Sequence, residues 1–299
     1  MFSGGGGGAQ FDVPPGGFGG GGGGGFEQMF GGGGGGGRRR GPGHQQQQQQ
    51  QAQELFPKNS PSGIAPLGKA KFPDKRSKYL WMVVFYDNNS QDCVKAKSSI
   101  ESFAEKVKGS FKVGAVNCRR GQADADFCKQ QEGLDPQNLP AFGVVVDGQI
   151  HMHEQQGRNA PSMKELHDFA IEKTPFDLVQ MINHPSILDQ KMMEQSKKEN
   201  KIGSILLLTD KFETSSKYAS LAYQFREQFN FGESRGKTLT MAKHFQVKKY
   251  PMLVAFVQNQ SGEFDTVKLE DVKSQDLGKW IDGLVSKYGS KPRSQRRRS

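Results

Sequence analysis

At 299 residues the chain has room for about two ordinary domains, but 23 of its 39 glycines fall before position 44, which excludes that end from any core. The formal net charge of +10 tolerates acidic or nucleic-acid partners without requiring them, and no stretch approaches the roughly 20 apolar residues of a membrane span. The three cysteines, Cys93, Cys118 and Cys128, are an odd number, so at least one thiol is free or paired outside the chain.

Residues 1–54 form a Gly/Phe- and Gln-rich linker: glycine runs carry a high ordering entropy and no side chains to bury. Phe2, Phe11, Phe18, Phe26 and Phe30 punctuate the glycines, and Gln45 to Gln51 follow. Much of the excess positive charge sits in Arg38–Arg40 and in the basic tail 291–299, with its Arg296–Arg298 run. No apolar signal segment follows Met1, and the C-terminus lacks a luminal retention tetrapeptide. Taken alone this reads as a cytosolic or nuclear address. The opening inside a glycine tract suggests a natural protein that extends upstream.

Leu55 to Pro73 holds Pro57, Pro61, Pro66 and Pro73 and reads as an extended lead-in over an edge of the first domain. Leu80 to Tyr86 is an uninterrupted apolar run, the mark of a strand buried on both faces. A polar turn leads to Cys93, and Ile100, Phe103, Ala104 and Val107 recur at helical spacing. Phe111 to Cys118 is a second buried strand, and Asp126 to Gln131 a short helix. Pro140 opens a strand through Val146, Asp147-Gly148 is a hairpin turn, His151 to Gln156 is the partner strand, and Pro161 to Glu172 is an amphipathic helix. A second copy follows. Residues 174–201 supply its first strand and helix, Ile202 to Asp210 a buried strand, Ser215 to Phe229 a helix and Gln228 to Glu233 a strand. Thr238 to Phe245 is a helix, Tyr250 to Phe256 a strand, Val267 to Leu269 its partner and Leu277 to Tyr288 the closing helix.

Two motifs carry a resemblance. A strand ending in Phe85-Tyr86, a short turn, then Ser90-Gln91-Asp92-Cys93 at a helix start resembles the Cys-x-x-Cys turn of the thioredoxin and protein disulfide isomerase superfamily. Leu139-Pro140-Ala141-Phe142 resembles that family's cis-proline strand, and Tyr250-Pro251-Met252 repeats it. The resemblance implies an α/β fold of two tandem thioredoxin-like domains, a central mixed sheet flanked by helices in each, over 55–175 and 176–290. Two positions depart from the pattern: Ser90 replaces the attacking cysteine, and Val84 stands where the family has an acid. The second copy has no cysteine. The loop Leu134 to Asn138 looks longer than the family norm, which would shift Pro140 relative to Cys93. The Gly/Phe tract resembles the linker of DnaJ-type co-chaperones, although no His-Pro-Asp signature is present.

The implied function is a protein-folding factor, the redox-degenerate client-binding module of an endoplasmic-reticulum J-domain co-chaperone. Its partners would be unfolded or maturing proteins, with an Hsp70-type chaperone if a J domain lies upstream. Its client surface would be the apolar rim of Tyr86, Leu139, Pro140 and Phe142 in domain one and of Phe212, Tyr250, Pro251 and Met252 in domain two. The competing reading is a monothiol disulfide exchanger using Cys93, whose pKa Lys95 and Lys97 would lower and Asp92 would raise. Nucleic-acid binding through the arginine runs ranks third. Luminal relatives carry a cysteine pair at the positions of Cys118 and Cys128, so an oxidising compartment implies a bridge there and the cytosol two free thiols. His151 and His153 share a strand face but lack a third ligand, so no metal and no cofactor are expected. Asn88-Asn89-Ser90 and Asn259-Gln260-Ser261 are glycosylation sequons in expected exposed turns.

Overall fold

The computed structural model describes residues 54–289 apart from residue 237. The linker up to 53, the Arg38–Arg40 run and residues 290–299 lie outside the described residues. Two five-stranded sheets carry the same topology. The first has the order β1 (Ala65–Leu67), β3 (Lys112–Asn117), β2 (Trp81–Tyr86), β4 (Ala141–Val146), β5 (Gln149–Met152). The second has β6 (Val179–Met181), β8 (Phe229–Ser234), β7 (Gly203–Leu208), β9 (Met252–Gln258), β10 (Phe264–Leu269). In each, the central strand pairs parallel with one neighbour and antiparallel with the other. These are two thioredoxin-like domains in tandem.

The central strands are largely apolar because both faces are covered, and the one serine, Ser204 of β7, bonds to Ser196 and the Met192 carbonyl. Met82 to Tyr86 of β2 and all of β7 are buried. Helices α1 (Gln91–Lys106), α2 (Gln122–Lys129) and α3 (Met163–Glu172) belong to the first sheet. The second has a π-helical stretch, Asp189–Glu194, running into α4 (Gln195–Lys198), then α5 (Ser216–Gln224), α6 (Leu239–Phe245) and α7 (Leu277–Tyr288). Side-chain caps fix several starts: Ser162 and Glu165 form a reciprocal capping box on α3, and Ser215 and Asp276 cap α5 and α7. The β4–β5 turn has positive φ at both central residues, 50° at Asp147 and 78° at Gly148, the backbone a two-residue hairpin requires. A Cβ on Gly148 would stand 2.5 Å from the Lys75 amide nitrogen.

Several boundaries differ from the sequence expectation. Helix α2 starts at Gln122, where Asp124 favours the first turn of the helix dipole. Strand β5 starts at Gln149 because the two-residue turn sets Val146 opposite Gln149, and it ends before His153. Helix α5 stops at Gln224 rather than Phe229. Phe225 and Phe229 keep the apolar spacing of a helix, yet Phe229 already pairs with Gly203. Strand β10 is twice the expected length. The lead-in does line an edge, with β1 parallel to β3.

The two sheets share a seam. Tyr223 of α5, 1% exposed, packs with the core of the first sheet. Its hydroxyl donates to the Asp147 carboxylate (2.9 Å) and accepts from the Asp147 amide (2.9 Å). The Arg226 guanidinium lies 3.9 Å over the Tyr223 ring and 3.2 Å from the same carboxylate. Ser220 donates to the Ser110 carbonyl at 2.5 Å. Ser110 precedes β3 and Asp147 follows β4, so the seam uses the end of the first sheet opposite the Ser90–Cys93 turn.

Candidate functional site

In the first domain the end of β2 leads through Asp87–Asn89 to Ser90, whose hydroxyl accepts from the Cys93 amide (3.4 Å) and donates to the Leu139 carbonyl (3.4 Å). The residue that replaces the attacking cysteine is thus the N-cap of α1. The Leu139–Pro140 bond is cis. The longer loop before it does not displace Pro140 from the turn. Gln156 pins that loop, accepting from the Asp135 amide (3.0 Å) and donating to the Gly133 carbonyl (2.6 Å).

Cys93 is 1% exposed. Burial pushes its thiol up, and the carboxylates of Asp87 and Asp92 add to the rise against the backbone of Asp87 and the Ser90 hydroxyl. The lowering expected from Lys95 and Lys97 does not prevail. Cys118 and Cys128 form a disulfide between the end of β3 and α2, with Cα atoms 5.8 Å apart. Both are buried, so none of the three cysteine sulfurs reaches the surface.

The rim expected in domain one is not open. Tyr86, Leu139, Pro140 and Phe142 are all buried. Glu54 and the start of the lead-in cover Tyr86: the Glu54 carboxylate takes a short hydrogen bond from the Tyr86 hydroxyl and a 3.1 Å bond from Asn117, and the Leu55 amide donates to Asn88 (3.1 Å). The Phe56 ring sits edge-on to Tyr86 at 5.1 Å. Burial first, then Glu54, raises the Tyr86 hydroxyl far above its usual range. From the other side Gly157 donates to the Pro140 carbonyl at 2.8 Å. Glu54 was invisible as a partner because it precedes Tyr86 by 32 residues.

Domain two is the reverse. Its Tyr250–Pro251 bond is also cis, Met252 is buried, and Tyr250 and Pro251 are half-buried. Phe212, however, is 81% exposed and Leu239 73%. Phe212 follows β7, Leu239 follows β8 and Tyr250 precedes β9, so all three belong to one end of the sheet. Burial, with Asp210 adding, raises the Tyr250 hydroxyl.

That loop is braced. Arg235 donates to the Phe212 carbonyl (3.2 Å), to the Thr214 hydroxyl (2.7 Å) and, in a short contact, to the Glu233 carboxylate. The same carboxylate oxygen, fully buried, takes a short bond from Thr214. Gly236, at φ +65°, donates to the Lys211 carbonyl (3.0 Å), and a Cβ there would come within 2.9 Å of the Phe212 ring. Sequence reasoning missed Leu239, Glu233 and Arg235. The available signal was a glutamate, Glu233, inside a short strand otherwise free of charge.

His151 and His153 are half-buried. His153 lies edge-on to Phe169 at 5.0 Å and accepts from the Gln155 amide. Among the described residues no group of three His, Cys, Asp or Glu side chains converges on a metal position, and no helix is long and apolar enough to cross a membrane. The sequon asparagines, expected to be exposed, are both half-buried. Asn88 sits under Leu55, and the Asn259 carboxamide folds into its own turn.

Topology, cis-prolines and the strand–turn–helix of Ser90–Cys93 define a chain of tandem thioredoxin-like domains that resembles the protein disulfide isomerase superfamily. No protein-family model matches the chain. An inferred protein disulfide-isomerase of Dictyostelium discoideum is 26% identical over 204 residues, 68% of this chain and 47% of that protein. The chain therefore spans about half the length of this curated relative. Among solved structures, form II of ERdj5 matches with a TM-score of 0.41 and 16% identity over 76% of this chain and 30% of that one. The J-Trx1 fragment of ERdj5 gives 0.31 and 26% over 38% and 50%. The zinc-bound form of human ERp44 gives 0.32 and 12% over 74% and 60%.

Proposed function

We propose that the chain is the client-binding part of a protein-folding factor of the J-domain co-chaperone type, working in the endoplasmic-reticulum lumen, with its redox chemistry lost. The observation that carries this reading is the contrast between sulfurs and aromatics. Cys93, Cys118 and Cys128 are 1%, 2% and 0% exposed, whereas Phe212 is 81% exposed on a braced loop. Disulfide exchange needs a thiolate at the surface, and the Cys93 thiol is both covered and pushed up. A large aromatic held out by its own backbone suits an extended, apolar client. Further support comes from the fold, from the name of the Dictyostelium relative, and from the Cys118–Cys128 bridge, which belongs in an oxidising compartment. The partners are unfolded or maturing proteins, and an Hsp70-type chaperone wherever a J domain precedes this chain.

The test pairs two assays on the full chain. Suppression of aggregation of a reduced, unfolding protein is expected from the wild type and is expected to fall in Phe212→Ser/Leu239→Ser at unchanged melting temperature. Insulin reduction is expected to show no turnover. Turnover that disappears in Cys93→Ser would replace the binding reading with the monothiol enzyme.

A further inference from the structure

The client-binding reading makes no use of the two sequons, and their surroundings differ. Oligosaccharide transfer needs a surface turn, an asparagine amide nitrogen with a replaceable hydrogen, and a hydroxyl two residues on. At Asn88-Asn89-Ser90 the elements are committed elsewhere. The Asn88 carboxamide oxygen accepts from the Leu55 amide (3.1 Å), and the Ser90 hydroxyl serves the Cys93 amide and the Leu139 carbonyl, both at 3.4 Å.

At Asn259-Gln260-Ser261 the sequon is the tip of the β9–β10 hairpin. The Asn259 oxygen accepts from the Ser261 hydroxyl (2.6 Å), the Ser261 amide (3.1 Å) and the Glu263 amide (3.1 Å). This is an Asx turn in which the sequon hydroxyl polarises the carboxamide that would react. The amide nitrogen donates one hydrogen to Asp265 at 2.9 Å. A carboxamide carries two, so the second can be exchanged for a sugar with every one of these bonds kept. Gln260 and Ser261 are exposed, and an ideal Cβ on Gly262 would meet nothing within 4 Å. The tip is also remote from the client end. Strand β9 runs from Met252, beside Pro251, to Gln258, and seven strand residues span roughly 23 Å.

We propose that Asn259 is an N-glycan acceptor and that Asn88 is not. The proposal rests on the luminal reading above. In the transfer the Asn259 nitrogen attacks the anomeric carbon of a polyprenyl-pyrophosphate-linked oligosaccharide. The C–N bond forms as the anomeric C–O bond breaks, the pyrophosphate leaves with the electron pair, and the displaced amide proton passes to a base of the transferase. No oxidation or reduction is involved.

The test expresses the full chain behind a cleavable secretory leader in a eukaryotic host and reads mobility before and after peptide N-glycosidase, with the site assigned by mass spectrometry. One glycan is expected, at Asn259. It is lost in Asn259→Gln and in Ser261→Ala, which leaves the asparagine in place, and it is kept in Asn88→Gln. A wild-type chain with no enzyme-sensitive shift, a glycan that survives Asn259→Gln, or a glycan on Asn88 would overturn the proposal. Because the leader forces entry, these failures are independent of compartment. The luminal reading is tested separately, by locating the endogenous protein at its natural length: a cytosolic endogenous protein beside a leader-bearing chain glycosylated at Asn259 upholds the acceptor and refutes the luminal reading instead.

Discussion

Replacing Tyr223 tests whether the two domains fold as one body. The residue belongs to α5 of the second domain, yet its ring is 1% exposed in the core of the first. Tyr223→Phe removes one donated and one accepted hydrogen bond, both to Asp147 at 2.9 Å. The Asp147 amide loses its protein partner, so the expected cost is about 1–2 kcal/mol. Tyr223→Ala adds the loss of a large buried ring and of the Arg226 stack at 3.9 Å, for a cost of about 3–5 kcal/mol. At roughly 2–4 °C per kcal/mol for a body of this size, the alanine variant melts at least 6 °C lower by the same scaling. Hydrogen exchange read by mass spectrometry locates the effect. Protection should fall in β4 and β5 of the first domain as well as in α5. If Tyr223→Ala left β2 to β5 exchanging as in the wild type while α5 alone opened, the seam would be a passive contact and the reasoning would fail.

Removing the Cys118–Cys128 bridge, by reductant or by Cys118→Ala/Cys128→Ala, frees a loop closed by a sequence separation of 10. Chain entropy for a loop that short predicts a loss of about 2–3 kcal/mol, read as a lower urea midpoint. Stability should also fall at alkaline pH. The folded-state pKa values of Cys93, Tyr86, Tyr218 and Tyr223 all lie above the ordinary 9.0 or 10.0. A group held protonated by folding stabilises fully below its unfolded pKa and loses that contribution as pH rises through the folded one. Denaturant midpoints should therefore hold steady to about pH 9 and decline above it, and Cys93→Ala should flatten the first part of the decline. Arg235→Ala leaves the fully buried Glu233 carboxylate, one oxygen of which already has no partner, without its cation. The expected cost is about 3 kcal/mol, the low end for a broken buried pair because Arg235 is 29% exposed. Exchange should rise across 210–215, and a neutral variant would refute the brace.

The fold was legible because its signals are local. The apolar run Leu80–Tyr86 and the stretch Ile202–Asp210 with its Ile205–Leu208 centre read as buried strands, and Asp147-Gly148 specifies its own turn. Ser90-Gln91-Asp92-Cys93 was legible as a turn into a helix start for the same reason. The state of the surfaces was not, because partners far apart in sequence decide it. Glu54 reaches Tyr86 across 32 residues, Tyr223 reaches Asp147 across 76, and Arg235 reaches Phe212 across 23. A Pro-rich lead-in reads as a covering segment, but nothing in its composition says that Phe56 packs on Tyr86.

Why one copy closes that end and the other leaves it open follows from what each has nearby. In the first domain the residue at the helix start is a serine small enough to bond both the Cys93 amide and the Leu139 carbonyl. The turn therefore closes on its own proline loop, and Phe56 and Glu54 seal Tyr86 from the remaining side. In the second domain the corresponding loop, Lys211–Thr214, is tied to β8 by Arg235 and Glu233, and its aromatic stands 81% exposed. The seam on Tyr223 then joins the closed domain to the open one away from both turns. On this arrangement the first domain contributes stability and a bridge across β3 and α2. On the proposed client-binding reading, contact with an extended chain would fall to the end of the second sheet where Phe212 and Leu239 face solvent.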